Sequence, residues 1–157
     1  NRGAVVIGVT EQDLIDIYKI RIRLEGLAAA MAATKMTDEE KKALAESVEL
    51  AEFYIQKNDT EKLKELDTSF HGAIYRASGS RILCKILSEL HRNIKAYRKL
   101  SLTVPGRLEK SVEEHREITD AILRSDAEEA DRLTSLHVER ARANLLIATK
   151  TDDTEEN

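Results

Sequence analysis

Four side chains stand where a helical core is ordinarily apolar: Asp67, His71, His115 and His137. Asp67 falls amid Leu63, Leu66, Phe70 and Ile74, and His71 follows one turn later on the same face. His115 interrupts the stripe of Leu108, Val112, Ile118 and Ile122, and His137 interrupts that of Ala130, Leu133, Ala141 and Leu145. A carboxylate in such a setting is costly unless it is paired or bound to a metal. An Asp and a His at i and i+4 share a helical face and can converge on one ion, and neutral imidazoles from two further helices can complete the set. Three imidazoles and a carboxylate suit Zn²⁺, Ni²⁺, Fe²⁺ or Mn²⁺, with Zn²⁺ the first expectation. A single His on an apolar stripe is ordinarily a core residue with a satisfied hydrogen bond. Spacing alone therefore leaves two readings open, one shared metal site or separately satisfied core histidines. His91, beside Leu90 and Ile94 and with no carboxylate at i−4, reads as a packing or surface residue.

The elements that must carry these groups read as helices. Leu14, Ile17, Tyr18, Ile20, Leu24, Leu27 and Ala28 recur at helical spacing after Thr10, which with Asp13 forms a variant capping box, and this helix runs to about Lys35. Thr37 and Glu40 open a second, carrying Leu44, Val48, Ala51 and Ile55 and ending near Asn58. Asp59 caps a third, which stops at Ser78-Gly79, where the glycine can take the left-handed conformation. Ser80 caps a fourth, with Ile82, Leu83, Ile86, Leu90, Ile94 and Tyr97 as its expected buried face. Pro105 marks the start of a fifth, through Ile122, and Ser125 with Glu128 starts a sixth that continues to about Lys150. The expectation is an all-α, antiparallel bundle of about six helices over residues 11–150. Residues 1–10, with Gly3, Gly8 and Val5-Val6-Ile7, read as the end of something else, and the acidic run 151–157 as a disordered tail.

Composition agrees. Among 157 residues there are one Pro and six Gly, too few for a turn-rich β fold. The formal charge of −4 argues against a broad phosphate-binding surface, so any DNA contact is expected from another segment. The single cysteine, Cys84, can make no internal disulfide and sits in an apolar stretch as a small hydrophobe, which points to the cytoplasm. No apolar run approaches the ~20 residues of a membrane span, and no signal peptide is visible. No Glu stands three residues before a His, against a carboxylate-bridged di-iron bundle. Nor is there a Gly-rich phosphate loop, a Gly-x-Ser-x-Gly elbow or a His-Glu-x-x-His pair.

Several segments, in order, resemble the FCD domain, the C-terminal ligand-binding domain of a branch of GntR-type transcription regulators. They are Ile20-Arg21-Ile22-Arg23-Leu24-Glu25 with the alanine-rich turn after it, Asp67-Thr68-Ser69-Phe70-His71, Ala77-Ser78-Gly79, Glu114-His115, Ser125-Asp126-Ala127 and His137. Ser80 departs from the pattern, since many members carry Asn after the glycine. The resemblance implies the six-helix, metal-binding branch of the family, with Asp67, His71, His115 and His137 as the ligands. It also implies a small organic acid effector beside the metal, a homodimer, and DNA binding through a winged-helix domain absent from this chain, residues 1–10 being the remnant of its wing and linker. No catalytic residue is implied. Arg21 matches the family's first-helix arginine and is the candidate for the effector carboxylate, against a surface ion pair with Glu25; Asn144, seven residues after His137, is a weaker one. Two rivals to this expectation are a metal-dependent enzyme and a module in which the metal is purely structural.

Overall fold

The computed structural model describes residues 8–155, with side chains over 8–150. Among them are seven α-helices and no strand: α1 (Glu11–Lys35), α2 (Asp38–Gln56), α3 (Thr60–Ala77), α4 (Arg81–Asn93), α5 (Lys95–Ser101), α6 (Arg107–Leu123) and α7 (Ala127–Glu155). The fold class is the expected all-helical one, and no helix is long and apolar enough to cross a membrane. The expected wing remnant falls mostly in residues 1–7, outside the described residues.

Local chemistry sets most boundaries. Thr10 and Thr37 each accept from the third helical N–H while Asp13 and Glu40 reach back, giving both capping boxes. Asp59 and Ser80 cap α3 and α4 through Lys62 and Leu83 N–H. Three boundaries differ from expectation. The fourth helix is divided: Ile94, at φ −113° and ψ 18°, breaks the ladder between α4 and α5 although no Gly or Pro marks the spot. Pro105 lies in a turn before α6 rather than in its first turn. Arg107 N–H bonds Val104 O at 2.9 Å, and Gly106 takes φ 78°, the left-handed position that a Pro-Gly type II turn requires. Asp126, not Ser125, caps α7 through Glu129 N–H, because Ser125 sits at φ 57° to close the end of α6. The last helix also runs on to Glu155, so the backbone of the acidic run is helical as far as that residue.

The largest core cluster joins Ala28, Ala29, Ala32 and Ala33 of α1 to Leu44, Val48, Ile74, Leu87, Ile118 and Ile122. The small alanines let helices crowd close to α1. α7 approaches it so nearly that a Cβ on Gly26 would strike the Asp131 carboxylate and the Ser135 hydroxyl, which itself donates to Ile22 O at 3.0 Å. A second cluster, Tyr18, Ile94, Val138 and Leu145, fills another part of the bundle. Ile20, Leu27, Ile82 and Ile86, expected inside, are instead 44%, 45%, 71% and 41% exposed. α1 turns Arg21 and Glu25 inward in their place, and α4 buries Leu83, Leu87 and His91.

Candidate metal centre

Helices α3, α6 and α7 bring the four sequence-derived groups together. His71, His115 and His137 are all buried, Asp67 nearly so, and one ligand atom from each lies within 4.8 Å of all the others. His137 Nε2 is 3.3 Å from His71 Nε2 and 3.3 Å from His115 Nε2. Asp67 Oδ1 stands 3.6 Å from His115 Nε2 and 3.8 Å from His71 Nε2. Donors bound at about 2.1 Å to one tetrahedral ion stand roughly 3.4 Å apart, and the separations of 3.3, 3.3, 3.6 and 3.8 Å lie near that value, so the donor set suits a metal in kind and in approximate spacing.

The outward nitrogens explain why the inward ones are aimed together. His137 Nδ1 and Glu114 Oε2 are 3.0 Å apart, and the carboxylate favours the proton on Nδ1. Glu25 Oε2 stands 3.2 Å from His71 Nδ1; the alignment falls short of a hydrogen bond, but the charge favours the same tautomer. Nε2 of His71 and Nε2 of His137 then face each other across 3.3 Å, a spacing at which two ring nitrogens can share one cation. Burial, then the neighbouring His137, holds His115 well below the usual histidine range, and burial together with His71 lowers His137 against the pull of Glu114. The ring of His115 is held from the other side by stacking on Phe70 at 3.9 Å.

Each carboxylate is in turn held by an arginine. Arg98 Nη2 bonds Asp67 Oδ2 at 2.5 Å, Arg107 Nη1 bonds Glu114 Oε1 at 2.8 Å, and Arg21 Nε bonds Glu25 Oε1 at 2.7 Å. Burial pushes these carboxyls up, but the facing cations and histidines outweigh it. Asp67 and Glu25 are held far below the ordinary range, and Glu114 is brought down to about 2. All three therefore remain anionic at neutral pH.

Beside the four groups is a cavity of about 20 Å³, lined by Tyr18, Asp67, His71, Arg98, Arg107 and His137 among others. It has room for a water rather than an organic acid. Nε and Nη2 of Arg107 are buried there without a hydrogen-bond partner. Arg21 and Asn144 do not line it. Arg21 joins Glu25 in a buried pair rather than a surface one, leaving its Nη1 unpartnered, and the Asn144 amide donates to Arg140 O at 2.8 Å on its own helix. Glu25, Arg98, Arg107 and Glu114 were not singled out as site residues. The available signal was a charge on an apolar stripe: Arg98 lies four residues after Ile94, and Glu25 between Leu24 and the alanine run. His91 is buried, its ring 5.3 Å from that of His71, and burial together with Arg98 pushes it down to about 2.

The model of the FCD domain family matches residues 16–140 of the chain. An uncharacterized HTH-type transcriptional regulator of Bacillus subtilis, YdhC, is 31% identical over 137 residues, covering 86% of this chain and 61% of that protein. The gluconate operon transcriptional repressor of Bacillus licheniformis is 27% identical over 118 residues, covering 75% of this chain and 48% of the repressor. Among solved structures, McbR/YncC of Escherichia coli superposes with a TM-score of 0.76 over 91% of this chain and 67% of its own, at 24% identity, a likeness of fold. The chain thus spans 48–61% of the length of these two sequence relatives.

Proposed function

Since the chain belongs to the FCD-domain family, we propose that it is the ligand-sensing and dimerisation part of a bacterial DNA-binding transcription regulator. In this reading it holds a divalent metal on Asp67, His71, His115 and His137, takes a small organic acid beside that metal, and controls operator binding by an attached winged-helix domain. The observation that carries the proposal is the facing pair of Nε2 atoms on His71 and His137, 3.3 Å apart, with Glu25 and Glu114 behind them. Three imidazoles and a carboxylate without thiolate fit Zn²⁺ first, and Ni²⁺, Fe²⁺ or Mn²⁺ after it. When bound, such an ion supplies a Lewis-acid anchor for a carboxylate oxygen.

The chain's own residues do the rest. Arg107, with two buried and unpartnered nitrogens, is placed to take the effector's carboxylate in a charge-assisted pair. Arg21 acts through Glu25 on the orientation of His71. A cavity of about 20 Å³ cannot hold an organic acid unless its walls move, and two of them, Arg98 and Leu102, lie on α5 and the turn after it. Entry of the acid therefore displaces α5, which packs chiefly on α7, and links effector to helix arrangement. An effector shifts DNA affinity only by its differential affinity for the two arrangements. The exposed Ile20, Leu27, Ile82 and Ile86 support burial against a second copy in a cytoplasmic homodimer.

A metal-dependent enzyme would need a general base besides the ligands. Glu25 and Glu114 are each tied to an arginine, so we assign no catalytic role. The test is metal analysis of protein purified without chelator, followed by thermal-shift screening of small organic acids with and without the metal. Near-stoichiometric metal with a metal-dependent shift for one acid, lost in Arg107→Gln, is the expected result. Metal-dependent stability with no acid response in any condition would leave a structural metal instead.

A further inference from the structure

Charge is distributed unevenly over the chain. Its formal total is −4, yet the cleft where α3, α4 and α5 meet is lined by Arg76, Arg92, Lys95 and Arg98, with no carboxylate in its walls among the described residues. The cleft, open to solvent on one side, has a volume of about 430 Å³, within the range of small-molecule sites. Arg76, Arg92 and Lys95 have no ion-pair partner among the described residues. Clustered cations without counter-charges repel one another, so the arrangement is stabilised by an anion among them.

The wall of this cleft is built rather than incidental. His91, 7% exposed, belongs to it and has an Nε2 with no hydrogen-bond partner. Tyr75, 2% exposed, also lines the cleft and lies against His91, the two ring centroids 5.5 Å apart. Arg98 is a wall of both this cleft and the small cavity beside His71, and bonds Asp67 through Nη2.

We infer that this cleft binds a small organic polyanion, carrying either a phosphate group or clustered carboxylates. Arg76, Arg92 and Lys95 hold its charge, His91 adds a hydrogen bond, and Arg98 divides its guanidinium between the anion and Asp67. Guanidinium forks and an ammonium suit both anion types, and four cations exceed what a monocarboxylate needs. A cleft of about 430 Å³ on an acidic chain fits a metabolite better than a nucleic acid backbone, which requires an extended basic surface. Anion binding in the cleft stands without the metal reading; the link through Arg98 rests on it. Drawing Arg98 toward the anion relieves Asp67 of a competing cation and strengthens its hold on a metal. By reciprocity the metal-loaded chain then binds the anion more tightly.

The experiment is calorimetric titration of the 157-residue chain, metal-loaded and metal-free, with inorganic phosphate and with tricarballylate, beside an Arg92→Gln/Lys95→Gln variant. Both substituted side chains are exposed and outside the metal centre, so circular dichroism and metal content should match the parent. Saturable binding of one probe, weakened about tenfold or more in the variant, is expected, and the tighter probe identifies the anion type. Three results would overturn the inference: no saturable binding of either probe, equal affinity in parent and variant, or binding that vanishes on metal removal yet ignores the variant. Binding of a short DNA duplex through Arg92 and Lys95, with neither small anion binding, would overturn it as well. Failure of the chain to bind metal sinks the metal reading alone, because the metal-free titration still reports on the cleft.

Discussion

Two parts of the same bundle solve burial in opposite ways. Around Ala28, Ala32, Ile118 and Ile122 the helices exclude water with apolar groups alone. Around His71, His115 and His137, where the same α3, α6 and α7 continue, they bury three imidazoles, three carboxylates and their arginines. The first region is complete as it stands. The second leaves Arg21 Nη1, Arg107 Nε and Nη2, His91 Nε2 and two tyrosine hydroxyls without partners. Each such atom costs roughly 1–3 kcal/mol of desolvation, so the polar region is less completed by its own contacts than the apolar one.

Exchanging the character of the two regions breaks the comparison most sharply. His137→Leu should abolish stoichiometric metal binding. A structural Zn²⁺ site is worth about 10–16 kcal/mol, so one of four ligands accounts for ~2.5–4 kcal/mol, or on the order of a hundredfold to a thousandfold in affinity. Competition against a chromogenic chelator measures this, and unchanged affinity would remove His137 from the centre. The reverse substitution, Ile122→Ala in the apolar region, should cost about 2–5 kcal/mol in urea denaturation and leave metal content intact. A variant that kept its stability while losing metal would mean that the two regions are not separable.

Subtler changes sharpen the contrast. Glu114→Gln keeps a hydrogen-bond partner for His137 Nδ1 but removes the charge, and a loss of about 10–100-fold in metal affinity is expected. Little change would show that the carboxylate behind the imidazole does not tune it.

A separate effect concerns pH in the metal-free chain. His91, His115 and His137 are all held below the ordinary histidine value, His91 down to about 2. The unfolded chain therefore binds protons that the folded one refuses as pH falls below about 6.5. Stability should decline from there by up to roughly 1.4 kcal/mol per pH unit for each histidine. Urea midpoints at about pH 7.5 and about pH 5.5 test this, with metal expected to protect; a flat profile would mean that the folded chain accepts these protons as readily as the unfolded one.

Much of this was legible along the chain. The capping boxes at Thr10 and Thr37, the glycine stop at Gly79, and the inward Asp67, His71, His115 and His137 depend on residues a few positions apart, where helical periodicity and local hydrogen bonding decide the outcome. The break at Ile94 was not legible. Neither was the inward turn of Arg21 and Glu25 at the expense of Ile20 and Leu27. An amphipathic pattern fixes a helix's inner face only to within the width of its stripe, and rotation by a fraction of a turn exchanges which residues meet.

By itself, then, the sequence determined an all-helical chain and that Asp67, His71, His115 and His137 lie inside it. Only the tertiary structure decided that Arg98 meets Asp67, 31 residues away, and that Glu114 meets His137, 23 residues away. Such pairings follow from how separate helices rotate and dock, a global packing equilibrium that no local spacing encodes.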